Sequence, residues 1–435
     1  MSLVAANRRE DAVQRCKAYL RIAACCAIAG LTACGCDNGW NNSCNNYYYP
    51  PYPGSGDGTR PNGLVAGGDG NYYGTTATGG SNGLGTFFRV TQAGAETVLY
   101  SFVGGSSDGA DPEGVIQGSD GNFYGATNFG GNGACPSGCG SVFRITPAGV
   151  ETVLYFFSGA ADGGDPNGVV QGSDGSFYGT AAYGGITNGS CGASGCGVVF
   201  RLTPAGGESV LYSFPGGTNG ILPVSLIQGT DGNFYGTTVY GGQSNDGTVF
   251  KVTTAGAETV LHSFGSGSDG RLPQQTQLIE GTDGNLYGTT PYGGSNSWGV
   301  VYRITPAGAE TVLYAFVGGT TDGAVPFTAL VENGGNFYGT TNAGGNANCP
   351  GGCGTVFKMT PAGAESVLYF FGPGANSGAQ PPSPSSLLLA LNYPVATGNL
   401  AGTTLNGGQY GIGSVFVLTP AGTASVLYSF GTNKP

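Results

Sequence analysis

The sequence predicts an all-β protein, a seven-bladed β-propeller with four antiparallel strands in each blade. A motif that reads Gly-Thr-Asp-Gly-Asn-Phe-Tyr-Gly-Thr-Thr at residues 229–238 occurs seven times, at intervals of 51–63 residues. Repeats of this length are typical of solenoids, propellers and arrays. Apolar residues come in short runs among 87 Gly, which favours short strands over long helices. The other copies lie at 68–76, 118–127, 172–181, 281–290 and 333–341, with a degenerate one at 397–404.

One repeat, residues 223–264, contains all the parts of a blade. The predicted strands are 226–228, 233–238, 248–253 and 258–264. Asp231-Gly232 is a strong hairpin signal, because both positions accept positive φ. Four such strands joined by short turns make one antiparallel propeller blade.

The first strand of each repeat is predicted to be innermost, because it is short and lacks large aromatic residues. We expect the polar residue that ends this strand to line the channel: Gln117, Gln171, Gln228, Glu280 and Glu332. The chain begins repeat one with a first strand and ends repeat seven with a fourth strand. Blades one and seven are therefore expected to meet by face packing alone, with no strand supplied by the N-terminus.

The N-terminal residues read as a targeting segment. Residues 1–33 contain five Lys or Arg and end in the apolar run 22–33, which is too short to span a bilayer. The run ends in Leu-Thr-Ala before Cys34, which resembles the bacterial lipoprotein signal; the resemblance implies lipidation of Cys34 and an outer-membrane or cell-surface location. An ordinary secretory signal is the alternative. Residues 34–60, rich in Asn, Tyr, Pro and Gly, are interpreted as a flexible tether, and 61–435 as the propeller.

The repeat itself resembles the Gloeobacter–Verrucomicrobia tandem repeat family, called GloVer. The resemblance rests on residues 278–290, the Gly pair at 293–294 and residues 300–304, and it extends over residues 61–430. It implies a secreted repeat protein and brings no agreed activity. The seventh copy departs most, because Leu400-Ala401 replaces the aromatic pair and a Pro/Ser-rich insertion occupies 372–386.

The cysteines predict disulfides. Three close pairs all fall in the loop between the second and third strands, and only in repeats where that loop is lengthened: Cys135/Cys139, Cys191/Cys196 and Cys349/Cys353. We expect each pair to be a disulfide that orders its loop, with Cys36 and Cys44 paired in the tether. A four-thiolate zinc site from the pairs in repeats two and three is the alternative.

Charge and composition limit the function. From residue 34 onward the chain has 9 basic and 23 acidic residues, and a surface of that sign repels phosphate backbones, so no nucleic-acid partner is expected. The single His, His262, stands where other repeats have Tyr and is interpreted as a packed aromatic substitute. No catalytic residue, cofactor or metal site is predicted, although calcium at the Asp-Gly turns is kept as an alternative. We expect a monomer.

Two further sets of charged residues recur. A cation after the third-strand aromatic and a Glu opening the fourth strand are lost together in repeat seven, which suggests that they pair across the hairpin. Acidic residues between one blade and the next should gather near the channel mouth, beside the cysteine loops. The set comprises Asp108, Asp111, Asp162, Asp165, Asp269 and Asp322. Turn chemistry explains these residues most simply; the alternative is a cation or polar-ligand site, with Asp108, Asp162, Asp269 and Asp322 on the ligand-binding face.

The sequence therefore predicts a lipid-anchored, extracytoplasmic propeller that acts as a binding or scaffold module for glycan or protein. One alternative is a propeller hydrolase or lyase acting on glycan or lactone, which would need carboxylates, Tyr and Arg converging at the channel mouth. The other is a structural surface or matrix protein.

Overall fold

A computed structural model describes residues 56–431, apart from 132, 134, 188, 266, 275, 350, 373–387 and 393–397. The predicted propeller is confirmed: the strands form seven four-stranded antiparallel sheets, here called blades 1–7 in chain order. Cys34, Cys36 and Cys44 lie outside the described residues, as does most of the insertion in repeat seven. No helix within the described part of the chain is long and apolar enough to cross a bilayer.

The strands and two short 3-10 helices have the following bounds. Blade 1 contains β1 (Thr59–Ala66), β2 (Tyr72–Thr78), β3 (Thr86–Val90) and β4 (Glu96–Ser101). Blade 2 contains β5 (Gly109–Gln117), β6 (Phe123–Gly130), β7 (Ser141–Ile145) and β8 (Glu151–Phe156). Blade 3 contains β9 (Gly164–Gln171), β10 (Phe177–Tyr183), the helix Gly189–Ser194, β11 (Val198–Leu202) and β12 (Glu208–Ser213). Blade 4 follows the helix Gly217–Asn219 and contains β13 (Ile221–Gln228), β14 (Phe234–Tyr240), β15 (Thr248–Val252) and β16 (Glu258–Ser263).

In the remaining blades the inner strand is shorter or interrupted. Blade 5 has a two-stranded piece, β17 (Gly270–Arg271) with β20 (Tyr292–Gly293), beside β18 (Ile279–Glu280), β19 (Leu286–Thr290), β21 (Val300–Ile304) and β22 (Glu310–Ala315). Blade 6 has β23 (Gly323–Ala324) with β26 (Ala343–Gly344), beside β24 (Val331–Asn333), β25 (Asn336–Thr341), β27 (Thr355–Met359) and β28 (Glu365–Phe370). Blade 7 contains β29 (Leu388–Asn392), β30 (Leu400–Thr404), β31 (Ser414–Leu418) and β32 (Ala424–Ser429).

The repeated motif forms the hairpin between the first two strands of a blade. In blade 4 the Asp231 carboxylate accepts hydrogen bonds from the Asn233 backbone N–H at 3.0 Å and from the Tyr235 hydroxyl at 2.8 Å. Gly232 has a φ of 79°, a conformation that Gly adopts without steric cost. The motif thus specifies a turn whose Asp is held by its own hairpin.

The first strand is longer than predicted in blades 1–4. In blade 4 it begins at Ile221, five residues before the predicted start, and its register with β14 shifts between Pro223 and Ser225. Such a bulge lets a strand continue past an irregular residue. The predicted strand excluded these residues because a Pro within an apolar run weakens the sequence signal for a strand.

Each blade runs outward from the channel in the predicted order. The first strands of neighbouring blades, β1 with β5, β5 with β9 and β9 with β13, contact one another around the axis. Seven apolar cores lie between blades, and each includes an edge-to-face aromatic pair from two neighbours. In the first interface, Phe102 contacts Phe143 with ring centroids 5.1 Å apart. Because such pairs add to the burial of apolar area, the aromatic residues fix both spacing and orientation of the blades.

The ring closes between blades 7 and 1 by contacts of the same kind. Phe430 packs edge-to-face on Phe88 with centroids 5.1 Å apart, and no strand is exchanged. The expectation that only face packing joins these blades is wrong, however. The Asp57 carboxylate accepts hydrogen bonds from the Tyr428 hydroxyl and the Gly431 N–H, at 3.0 Å for the latter. Strand β1 begins at Thr59, so residues 57–60, assigned to the tether, belong to the propeller.

The proposed pairing of cation and Glu across the outer hairpin is also wrong. Lys251 bonds Asp231 at 3.0 Å, and Arg201 bonds Asp174 at 2.8 Å, so each of these cations meets the turn Asp of its own blade. Glu258 instead accepts a hydrogen bond from the Tyr212 hydroxyl of the preceding blade at 3.2 Å. The twist of the blades carries the start of each fourth strand over the previous blade, which hairpin register alone does not reveal.

The three predicted loop disulfides are present. Cys135–Cys139, Cys191–Cys196 and Cys349–Cys353 have Cα atoms 5.2, 4.9 and 5.5 Å apart, within the range disulfides require. Each closes a loop between the second and third strands. Disulfides are typical of oxidising, extracytoplasmic compartments.

Candidate functional site

Six blades place a non-Gly residue in the left-handed conformation directly before a Pro of the inner strand. We call this set the pre-proline ring: Arg60, Asp111, Asp165, Leu222, Leu272 and Val325. Their φ values lie between 51° and 59°. Residues before Pro normally avoid helical conformations, and non-Gly residues rarely take positive φ, so the backbone at these positions is strained.

Hydrogen bonds to the preceding blade stabilise the strained backbone of the ring residues. Each ring residue donates its backbone N–H to a carbonyl in the loop between second and third strands of the preceding blade, at 2.7–3.2 Å. For the ring residues of blades 3 and 4 the acceptor is the carbonyl of a cysteine in the preceding blade. Asp165 donates its N–H to Cys139 O, and Leu222 donates its N–H to Cys196 O. The disulfide loops of blades 2 and 3 therefore lie directly beside the ring. Strained residues held this way are frequent at functional sites.

The ring has two chemically different halves. Blades 1–3 contribute Arg60, Asp111 and Asp165, whereas blades 4–6 contribute Leu222, Leu272 and Val325. Arg60 is exposed and the other five are half-buried, so solvent reaches the ring. The channel mouth is accordingly charged on one side and apolar on the other.

The charged half contains an acid cluster, defined here as Asp111, Glu113 and Asp165. Asn128 donates its side-chain N–H to Asp111 Oδ2 at 3.2 Å and to Glu113 Oε1 at 3.0 Å. Burial, together with the charges of Glu113 and Asp111, raises the pKa of Asp165 to about 7. Burial also raises the pKa of Asp111 and of Glu113, against the lowering effect of the Asn128 hydrogen bond and the Arg60 charge. Near neutral pH the cluster can thus both donate and accept hydrogen bonds.

An aromatic residue borders the mouth in four consecutive blades. We call this set the aromatic arc: Phe129, Tyr183, Tyr240 and Tyr292. Each lies at the end of the second strand or of its extension and is paired with the start of the inner strand, as Phe129 is with Ala110. Phe129 and Tyr292 each expose 40% of their surface, which is high for large aromatic residues.

The predicted ligand-face residues Asp108, Asp162, Asp269 and Asp322 lie in the junctions between blades. Each carboxylate accepts hydrogen bonds from a backbone N–H and from the aromatic side chain of the fourth strand. Asp108, for example, is 2.9 Å from the Tyr100 hydroxyl and 2.6 Å from the Val103 nitrogen. A Glu from the next blade lies near, and burial, followed by the charge of Asp108, raises the pKa of Glu151 to about 7. These junction triads of aromatic residue, Asp and Glu connect blades.

One junction triad differs from the others. Between blades 4 and 5 it consists of His262, Asp269 and Glu310, whose ligand-type atoms all lie within 4.8 Å of one another. His262 Nε2 is 3.1 Å from Asp269 Oδ2. The triad was not predicted, because the sequence pattern identified His262 only as a substitute for Tyr.

The residues predicted to line the channel connect inner turns at the other end of the inner strands. Gln171 accepts a hydrogen bond from the Ser119 N–H of the preceding blade at 2.8 Å, and Gln228 accepts one from Ser173 at 2.7 Å. Gln117, Glu280 and Glu332 make the equivalent bonds. These side chains therefore form a belt of bonds between blades around the axis.

The sequence analysis expected Asp111 and Asp165 near the channel mouth, but it missed the ring as a set and the whole of the arc, although both leave a signal. A Pro follows the ring residue at the same place in six repeats, and an aromatic residue precedes the Gly pair in four. Neither pattern was singled out, because X-Pro predicts extended backbone and a lone aromatic residue predicts core.

The chain matches the Gloeobacter/Verrucomicrobia repeat over residues 49–191 and 185–392. It belongs to the Gloeobacter/Verrucomicrobia repeat family. Among solved structures, this family member is similar to the BP39L lectin from Burkholderia pseudomallei, at 13% identity and a TM-score of 0.56 over 86% of this chain and 99% of the lectin. It is also similar to puromycin hydrolase, at 15% identity and a TM-score of 0.54 over 87% of this chain and 55% of the hydrolase. At such identities the likeness shows the propeller fold alone. No curated protein sequence matches the chain.

Proposed function

We propose that this protein is an extracytoplasmic glycan-binding module whose ligand enters the channel mouth on the face of the disulfide loops. The observation that carries the proposal is the two-sided pre-proline ring. A sugar ring has hydroxyl groups at its edge and an apolar C–H face, so it matches a mouth with carboxylates on one side and apolar residues on the other.

The acid cluster and the aromatic arc support the same ligand class. Carboxylates accept hydrogen bonds from hydroxyl groups, and a protonated Asp165 can donate one to a ring or glycosidic oxygen. Exposed aromatic faces such as that of Phe129 can stack on the C–H face of a sugar. Because ordered loops and strained backbone hold both sets in place, little entropy is lost on binding.

A glycan array probed with the whole chain, with and without calcium, tests the proposal. We expect hits whose affinity, measured by titration calorimetry, falls about two- to tenfold in Phe129→Ala, the range expected for one aromatic contact. Asp111→Asn should weaken the same glycans, whereas Asp120→Asn, in a turn at the opposite end of the inner strands, should leave them unchanged. If neither the Phe129 nor the Asp111 substitution changes glycan affinity, the ligand binds elsewhere. If the protein binds other proteins but no glycan, the channel mouth is a protein-binding surface.

A second candidate function is hydrolysis or lysis of glycan or lactone at the same mouth. It is favoured by the acid cluster, because neighbouring carboxyl groups with raised pKa values are a common arrangement for general acid–base work. Asp165 would act as the acid and Asp111 or Glu113 as the base. In that case Asp165→Asn should abolish turnover of glycan or lactone substrates while binding persists, and a chain that binds without turnover would remain a lectin-like module.

We also propose that Cys34 carries a lipid that anchors the module to a membrane. The motif before Cys34 and the disulfides of an oxidising compartment support this location. Metabolic labelling with a fatty acid, compared between wild type and Cys34→Ala, tests it. The label and the membrane fraction of the protein should both be lost in the variant; retention of the label would exclude this site.

A further inference from the structure

The junction triad of blades 4 and 5 has the composition of a metal site. His262 comes from β16, Asp269 from the loop between the blades, and Glu310 from the start of β22. At the other described junctions the aromatic member is a Tyr, whose hydroxyl donates a hydrogen bond, as Tyr314 does to Asp322 at 3.1 Å. An imidazole instead offers a nitrogen lone pair, which is a common metal ligand.

We propose that His262, Asp269 and Glu310 bind one zinc ion between blades 4 and 5. One imidazole nitrogen and one oxygen from each carboxylate would supply three ligands, and water the fourth. Zinc with nitrogen and oxygen ligands at about 2.0–2.2 Å requires donors about 3.4 Å apart in a tetrahedron. The donors already lie within 4.8 Å of one another, so small side-chain rotations complete the site.

The surroundings favour a bound cation over an empty triad. Glu310 Oε1 is buried and has no hydrogen-bond partner among the described residues, as is also true of the same atom in Glu151, Glu208, Glu258 and Glu365. An unpaired carboxylate oxygen is costly, and only the junction with His262 places an imidazole beside it. The carboxyl groups of Asp269 and Glu310, with oxygen atoms within 4.8 Å, also repel each other when both are ionised, and a divalent cation removes that repulsion. The Tyr junctions lack the imidazole that would make the same position a transition-metal site.

Access and ligand type both fit zinc, the ion that we propose. The side chains of His262 and Asp269 are 19% and 20% exposed, and His262 borders a depression open to solvent with Thr218, Gln243 and Ser263. A metal can therefore enter the folded protein. Calcium and magnesium prefer all-oxygen ligands, whereas imidazole with carboxylates suits zinc.

The chain has a single His, which makes the test direct. Untagged whole chain labelled with ¹⁵N-histidine gives signals from one imidazole, which we expect to shift completely with one equivalent of zinc and not with calcium. His262→Tyr restores the residue of the other repeats, so it should fold normally, lose the one-equivalent site and lose the zinc-dependent rise in Tm. Glu310→Gln should weaken zinc binding by at least about tenfold.

A matched variant tests whether the same three ligand types bind zinc at another junction. Tyr314→His would create the same triad with Asp322 and Glu365 between blades 5 and 6, and the folded variant should bind a second zinc. An imidazole signal that ignores stoichiometric zinc, or unchanged one-equivalent binding in His262→Tyr, would overturn the proposal. A folded Tyr314→His variant that binds only one zinc would also count against it.

Discussion

At the scale of single residues, the pre-proline ring shows how a position can be set by its neighbour. Asp165 is held at a φ of 58° by the hydrogen bond from its N–H to Cys139 O of the preceding blade, at 2.9 Å. In that conformation the Asp165 carboxyl group lies near Glu113 and Asp111, and burial together with their charges raises its pKa from 3.8 to about 7. The folded protein therefore keeps a proton that the unfolded chain releases between these values, so stability falls as the pH rises through this window.

Asp165→Asn removes this titration and should make stability less dependent on pH. We expect the variant to gain about 1–2 kcal/mol over wild type between roughly pH 5 and pH 8, a value discounted for water in the channel. Urea unfolding at several pH values measures the difference. Asn tolerates positive φ and can therefore stabilise the variant at every pH. For this reason the test is the change with pH in the difference in unfolding free energy between variant and wild type. Asp120→Asn is the control: its pKa is lowered by hydrogen bonds that outweigh burial, so it should show no such gain.

The sequence predicts residues whose partners are local and misses those whose partners are not. The turn Asp of each motif bonds the Asn and Tyr that follow it, so its role is readable from spacing. Glu258 meets Tyr212, which is 46 residues earlier and on another blade. Spacing along a hairpin contains no information about that contact, because it depends on how strongly successive blades twist.

At the scale of elements, the disulfide loops support the channel mouth. The backbone of Gly159, in the junction between blades 2 and 3, packs directly against the sulfur atoms of Cys135 and Cys139. The disulfide therefore orders a neighbouring loop as well as its own. Its position was predictable because the cysteines occur only in lengthened loops; its contact with the junction was not, because Gly leaves no pattern of its own.

Replacing Cys135 and Cys139 by Ser should loosen these two loops and little else. The bond closes a very short loop, so we expect a cost of about 2 kcal/mol in the free energy of unfolding. Hydrogen exchange should rise in the loop between β6 and β7 and around Gly159. Blade 4, whose corresponding loop is short and lacks cysteine, is the internal reference, and faster exchange there would contradict a local role.

At the scale of the whole molecule, a hydrogen-bonded carboxylate adds to the packing and backbone bonds that join blades 7 and 1. Asp57 occupies at the seam the place that Asp108 occupies between blades 1 and 2, since both accept bonds from a fourth-strand Tyr and a backbone N–H. The sequence predicted seven repeats and the absence of a shared strand. It assigned Asp57 to the tether because the repeat motif begins only later.

Two truncated chains, beginning at residues 56 and 59, should differ in stability although they differ by only Gly56-Asp57-Gly58. Loss of Asp57 leaves the Tyr428 hydroxyl without this acceptor, and we expect a decrease of about 1–3 kcal/mol in the free energy of unfolding. Asp57→Ala in the longer chain should reproduce the decrease. Equal midpoints for the two truncations would show that the Asp57 hydrogen bonds contribute nothing measurable to ring closure.

The edge-to-face pair of Phe430 and Phe88 has a consequence for how such a molecule can change. Each blade contributes an outgoing Phe and receives it on an incoming aromatic ring, which is Tyr302 in blade 5 and Phe in the others, so the seam has the same aromatic pair as the six continuous junctions. The break in the chain could therefore lie at another junction without changing how neighbouring blades pack. We expect circular permutants cut in any short junction to assemble, and whole repeats to be exchangeable between relatives as single cassettes.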